Sequence, residues 1–430
     1  MNEMLEYSQI SQNFRLLTNS TSRYAVTFSL HMSAAGSYFE EEGEWGVSHL
    51  LEHCKVTRTK KYDVEEFKQY LFTKDIYINA FTSRLGMEFV VSGHRDDFEE
   101  MLELIMEIAL DPFFTQEVLE QEQEVVAREI NQFTGQPNYR LNRTLIKHMY
   151  TEDSYYQNEV LGSAEDVKSA TLETLETLQK KIFARSQFLL AISGGGIDRR
   201  LVEKKYKALS KVFRSEQYLP IDFRPANTLR DFSYAPVVSE LAHDHAVVKI
   251  ILPCRISLRN RPVRTYIREL MFEPPIGYLY VSLRDQKRLI YSLDYSFDKS
   301  TSTLNIEVKC SIEDVSKVVE EVKESFAQFD TIFTPDKLVR IREHIVKRQE
   351  IQQDEPNLAV EFMVNILYEF GVIMQYEDYV RKLEQVTLQD ISKEYHYING
   401  HIDEMKVVVV SNKETITQLD LLWLIQNRLS

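Results

Sequence analysis

The chain has 430 residues, too many for one ordinary hydrophobic core, and two domains of roughly 200 residues each are expected. A formal net charge of −15 argues against nucleic acid or an anionic membrane as the main partner and is compatible with cationic peptides. Cys54, Cys254 and Cys310 are too few and too scattered for a disulfide framework. Together with an N-terminus lacking a basic or apolar signal region, and no apolar run of membrane-spanning length, they predict a soluble cytoplasmic protein.

In chain order, Ser22 to Ser33 alternates apolar and polar residues and predicts a strand; Ala35-Gly36 turns the chain, and Glu40-Glu41-Glu42 reads as solvated loop. Gly46 to His53 reads as a helix, Val64 to Leu71 as a short amphipathic one. Asp75 to His94 holds two strands, one through Asn79 and one through Met87 to Val91, and Asp96 to Leu110 is helical. A long helix follows over Thr115 to Ile130, with Thr115 as its N-cap. Further helices are expected near Leu141 to Tyr150 and over Thr171 to Phe183. A strand ends at Gly194-Gly195-Gly196; no GxxxxGK[ST] accompanies these glycines, so they read as a strand end and not a phosphate loop.

Two of these helices carry chemistry. His49 and His53 are spaced i,i+4, so both imidazoles project from one face, close enough to share an ion. Glu52 sits beside them, angled to hold a water and act as general base. This is H-x-x-E-H, the reverse of H-E-x-x-H. A catalytic zinc site needs a third protein ligand and one open position. The long helix offers two carboxylates, Glu122 and Glu129, on a stripe with Val118, Leu119, Val125, Val126 and Ile130. Unpaired carboxylates on an apolar stripe call for a partner, and a metal is a good one. Cys54 faces away and reads as core.

The second half repeats the first. Phe333-Thr334-Pro335-Asp336-Lys337-Leu338 echoes Phe114-Thr115-Gln116-Glu117-Val118-Leu119 at an offset of 219 residues. That offset puts Arg268 and Phe272 where the first half has its histidines, and Ile341 and Arg348 at Glu122 and Glu129. The repeat therefore lacks the metal chemistry, and one Zn2+ per chain is expected. The boundaries read as an N-terminal domain over 1–215, a linker over 216–233 containing Pro220 and Pro225, and a homologous domain over 234–430.

His49-Leu50-Leu51-Glu52-His53 followed by a glutamate 76 residues on, at Glu129, resembles the pitrilysin family of zinc peptidases. Asn79-Ala80-Phe81-Thr82 resembles that family's edge strand, Phe183 to Gly194 the strand closing its first domain, and Arg284 with Tyr291 its Arg/Tyr pair. Ile76-Tyr77-Ile78 stands where the family has glycines before the Asn, and Phe272 to Gly277 replaces its glycine-rich run. The resemblance implies an α+β fold of two homologous α/β sandwich domains, each a mixed sheet flanked by helices, forming one half of a clamshell. It implies Glu129 as third ligand, Glu122 as the carboxylate orienting a ligand histidine, and Asn79 and Ala80 on a strand that pairs with the peptide substrate. Arg284 and Tyr291 would bind substrate backbone and oxyanion, serving a partner subunit's site. The implied function is a zinc endopeptidase acting on short or unfolded peptides within a homodimer or heterodimer. Alternatives are a partner-dependent peptidase maturing a leader-bearing, bacteriocin-like peptide, and a non-catalytic scaffold subunit.

Overall fold

The computed structural model describes residues 4–21, 23–213, 215, 217–239, 245–419 and 421. Met1 to Glu3, Ser22 and Glu216, at which the N-terminal reading, the first strand and the linker were placed to begin, lie outside the described residues.

The first half of the chain runs β1 (Met4–Gln9), β2 (Phe14–Ser20), β3 (Ala25–Met32), α1 (Val47–Val56), α2 (Val64–Lys74), β4 (Tyr77–Thr82), β5 (Met87–His94), α3 (Phe98–Leu110), α4 (Gln116–Thr134), α5 (Pro137–Met149), α6 (Ala164–Ser169), α7 (Leu172–Arg185), β6 (Phe188–Gly194) and α8 (Arg199–Val212). The second half runs β7 (Tyr234–Val238), β8 (Ala246–Pro253), α9 (Arg261–Met271), α10 (Tyr278–Tyr280), a π-helical turn at 281–286, β9 (Ile290–Asp298), β10 (Thr303–Cys310), α11 (Val315–Ser325), α12 (Phe329–Ile332), α13 (Pro335–Asp354), α14 (Pro356–Phe370), α15 (Tyr376–Glu384), α16 (Leu388–Gly400) and β11 (Lys406–Ser411). The expected α+β architecture, two mixed sheets flanked by helices, is what the chain adopts.

The chain forms two compact units. The first comprises Met1–Phe133, Asn158–Pro225 and Ile351–Tyr376. Its sheet has the order β1-β2-β6-β3-β5-β4, with β2 and β6 parallel and every other pairing antiparallel. Strand β6 is buried along its whole length, the pattern of a central strand covered on both faces. On one face, Phe28, Leu30, Phe89 and Ile192 pack with Leu50 and Leu51 of α1 and with Met101 and Ile105 of α3. On the other, Leu17, Leu189 and Ala191 meet Val360, Met363, Val364 and Leu367 of α14.

The second unit comprises Thr134–Gln157, Ala226–Glu350 and Glu377–Ser430. Its sheet has the order β7-β11-β8-β10-β9, with β7 and β11 parallel. Leu141, Leu145, Ile146 and Met149 of α5 cover one face through Val247, Ile251, Val408 and Val410.

Each unit thus takes one helix from the other half of the sequence. Pro137 opens α5 and Pro356 opens α14, which places the two helices 219 residues apart, at the same offset as the long helices before them. The caps repeat too: Thr115 Oγ1 accepts from the Val118 N–H at 3.2 Å, and Thr334 Oγ1 from the Lys337 N–H at 3.3 Å. Residues 217–225, within the stretch read as linker, fold with the first unit, where Ile221 joins the apolar cluster under α14.

Candidate metal centre

Helix α1 is preceded at its N-cap by Gly46, whose φ of +91° lies in the left-handed region. A Cβ there would also stand 2.4 Å from the Leu161 carbonyl oxygen, so the position suits glycine on both counts. No cap side chain comes from Gly46 itself. Instead Glu40 supplies one from six residues upstream: its carboxylate accepts from the Gly46 N–H at 2.9 Å and the Ser48 N–H at 2.7 Å. A carboxylate is well placed there, against the positive end of the helix dipole. This corrects the expectation of a solvated acidic loop. Glu41 and Glu42 are exposed, but Glu40 is 6% exposed, and burial pushes its carboxyl up to about 7 against the opposing pull of those two N–H groups. A run of three acids hides one that is folded inward.

Val47, Leu50, Leu51 and Cys54 drive α1 into the core. The turn that carries His49 and His53 is thereby left facing α4. On α4, Val118, Leu119, Val126, Ala127 and Ile130 are buried, while Val125 is 39% exposed and lies outside the stripe expected to include it. Glu122 and Glu129 flank the buried stripe and reach towards α1.

The Nε2 atoms of both histidines turn towards one oxygen. Glu129 Oε2 is 3.4 Å from His49 Nε2 and 3.6 Å from His53 Nε2. Tetrahedral zinc with bonds of about 2.0–2.2 Å separates neighbouring donor atoms by roughly 3.3–3.6 Å, so the spacing already fits the ion. Among the described residues, these three form the one group of His, Cys, Asp and Glu placed to share a metal. The donor set of two imidazoles and one carboxylate is that of catalytic zinc, with a fourth position free.

Around the donors stands a ring of supporting contacts. His53 Nδ1 lies 3.1 Å from Glu122 Oε2, and Glu122 Oε1 takes the Thr57 hydroxyl at 3.0 Å. That carboxylate fixes the ring so that Nε2 is the free nitrogen. Burial pushes the Glu122 carboxyl up, but His53 and Thr57 outweigh it and hold it below the usual range. For His49, burial pushes the imidazole down, while Glu52 and Glu129 together hold it above its ordinary value. Glu52 is 6% exposed, and its Oε2 lies 3.5 Å from His49 Nδ1 and accepts from Thr82 Oγ1 at 2.7 Å. Thr82 had not been singled out; its only signal was its place at the end of the Asn79 strand.

Asn79 lies on β4, the edge strand of the first sheet, and its Oδ1 accepts from the Ala80 N–H at 3.0 Å. Arg284 and Tyr291 lie in the second unit: Arg284 Nη1 donates to the Ile290 and Tyr291 carbonyls at 2.7 Å each, and Tyr291 is 60% exposed. At the repeat positions in that unit no donor set forms. Arg348 Nη1 instead donates to the buried Glu269 at 3.0 Å, and Arg268 pairs with the same carboxylate.

The fold is that of M16-like peptidase domains. A protease from Helicobacter pylori superposes with a TM-score of 0.74 over 95% of this chain and 100% of its own, at 16% identity. A "peptidase M16 inactive domain" from Pseudomonas fluorescens gives 0.76 over 96% and 99%, at 15% identity. Residues 15–162, which carry the whole donor set, match the family described as Insulinase (Peptidase family M16). Curated relatives include a probable mitochondrial-processing peptidase subunit beta of Arabidopsis thaliana, 25% identical over 41% of this chain and 33% of its own. Another is the uncharacterized zinc protease YmfH of Bacillus subtilis, 28% identical over 35% of this chain and 33% of its own. The matched stretch is therefore about a third of the length of either relative. Among the described residues, no helix is long and apolar enough to cross a membrane.

Proposed function

We propose that the chain is a zinc-dependent endopeptidase that cleaves short or unfolded peptides. The observation that carries this reading is the convergence of His49, His53 and Glu129 beside the buried carboxylate of Glu52. The family match over the same residues supports it.

Bound at these donors, zinc supplies Lewis acidity towards the scissile carbonyl and the attacking water. The protein's part is to hold and move protons. Glu52 takes the proton of the attacking water and passes it to the leaving amine, a route that a carboxylate beside the donors can serve in both directions. The Thr82 hydroxyl holds Glu52 Oε2 and leaves Oε1 for the water. Glu122 keeps His53 in the tautomer that presents Nε2. The open edge of β4 offers backbone groups to an extended peptide, which gives affinity with little dependence on sequence. Arg284 and Tyr291 are assigned, by resemblance, to substrate backbone and oxyanion within a chamber built by two subunits. A reducing, cytoplasmic setting accords with three free, buried cysteines.

A second reading, a non-catalytic subunit, draws on the Pseudomonas fluorescens neighbour described as inactive. Maturation of a leader-bearing peptide with a dedicated partner is the narrower form of the first. Quenched fluorescent peptides with wild type and Glu52→Gln, alongside zinc content, separate these. Cleavage by wild type only, with one zinc per chain, is the expected result. A folded protein that takes up no zinc overturns the peptidase reading. Zinc uptake without cleavage points to a missing partner.

A further inference from the structure

The second unit keeps a cavity among the elements that correspond to those of the metal centre. It measures about 650 Å³, within the usual range for ligand pockets, and lies between α9, the segment after it and α13. Its apolar lining includes Leu270, Val281, Ile332 and Ile341. The 219-residue offset equates Ile341 with Glu122 and Arg348 with Glu129, so a guanidinium paired with Glu269 stands where the first unit has a carboxylate for a metal.

The charges in the lining do not balance. Glu269 is neutralised by Arg268 and Arg348, and Glu273 accepts from the Tyr295 hydroxyl and faces Arg268. On α13, Lys337 Nζ meets only the neutral Thr331 carbonyl, at 2.9 Å, and Arg340 has no hydrogen-bond or ion-pair partner among the described residues. Both cations line the cavity one helical turn apart. The site thus combines an apolar floor with two uncompensated positive charges at its wall. Tyr295, which holds Glu273, belongs to β9, the edge strand of the second sheet, as β4 is of the first.

We propose that this cavity binds the C-terminal end of an extended peptide, with apolar terminal side chains on Leu270, Val281, Ile332 and Ile341 and the α-carboxylate on Arg340 and Lys337. The assignment of a peptide rests on the peptidase reading above, since a carboxylate on an apolar body also describes a fatty acid. The second unit then acts as an anchor for the end of a substrate.

The test uses the full chain carrying Glu52→Gln and a fluorescein-labelled octapeptide ending in Leu-Leu-Phe, as its free acid and as its C-terminal amide. Fluorescence anisotropy should show the acid binding about tenfold more tightly, the size of one charge-assisted hydrogen bond. Arg340→Ala combined with Lys337→Ala, both on exposed helix positions, should erase that difference and leave the amide unchanged. Equal binding of acid and amide, or a difference that survives the double substitution, overturns the proposal. So does calorimetric binding of dodecanoic acid by a protein that binds neither peptide, which would assign the cavity to fatty acids. Binding is read without cleavage, so failure here leaves the zinc and cleavage results of the wild type standing, and loss of those leaves this measurement readable.

Discussion

The Thr82 hydroxyl donates to Glu52 Oε2 at 2.7 Å, across from the end of the edge strand to helix α1. A free carboxylate beside two imidazoles could rotate towards either ring, and His49 Nδ1 is only 3.5 Å away. The hydroxyl fixes which oxygen is left for the water. Thr82→Val should therefore lower kcat by roughly tenfold to a hundredfold, the usual effect of losing a partner that orients a group at a metal site. KM and zinc content should hold. Thr82→Ser, which keeps the donor, should recover most of the rate in steady-state kinetics. Equal rates for the valine and serine variants would remove Thr82 from the mechanism.

Glu40 gives a pH signature of its own. Its carboxyl titrates near 7 in the folded chain and near 4.5 when unfolded, because burial disfavours the charge. Between those values the folded state binds a proton that the unfolded state does not. Stability from this group therefore falls as pH rises from about 4.5 to 7, by up to roughly 3 kcal/mol, and is level outside that window. Glu40→Gln should flatten that slope in denaturant midpoints measured across the window. A slope unchanged by the substitution would place the titration elsewhere.

What the sequence disclosed follows the range of the interactions. His49, Glu52 and His53 are one helical turn, and Thr115 caps a helix three residues ahead, so spacing alone placed them. The repeat was readable because Thr334 and Thr115 do the same local work. The exchange of α5 and α14 was not readable, since an amphipathic helix states that it needs a sheet without stating which. Glu40 and Thr82 escaped for the same reason. Their partners, Gly46, Ser48 and Glu52, are found by folding and leave no period in the sequence.

Lys55 of α1 is buried at 1% exposure, its Nζ donating to the Ala109 carbonyl at 2.7 Å. Phe89 and Phe183 lie 5.6 and 5.4 Å from that nitrogen, and burial brings its pKa down to about 7. Between about 7 and the unfolded value of 10.5, the unfolded chain holds a proton that the folded one has lost. Stability from this group should therefore rise with pH over that window, and below it the full cost of burying the charge is present. Lys55→Met, similar in length and uncharged, should abolish the rise. Urea midpoints for the two proteins at pH 7 and pH 9 would check this: a difference that does not change between them rules the titration out.

The donor set makes the sharpest prediction, because ligand and supporting residues should fail differently. His53→Ala removes a donor and leaves two, below the three that a catalytic zinc site requires. Zinc content after dialysis should drop from one per chain to near zero, and cleavage should go with it. Glu122→Gln keeps all three donors and loses the carboxylate that meets His53 Nδ1 at 3.1 Å. Its zinc affinity should fall tenfold to a hundredfold, with cleavage restored by excess metal. Zinc should also raise the melting temperature of the wild type, since binding only the folded state stabilises it by about 4 kcal/mol at a thousandfold excess over Kd. That shift should vanish in His53→Ala and shrink in Glu122→Gln. Calorimetric titration of the three proteins would decide it, and equal zinc affinities across them would sink the assignment of this cluster as the metal site.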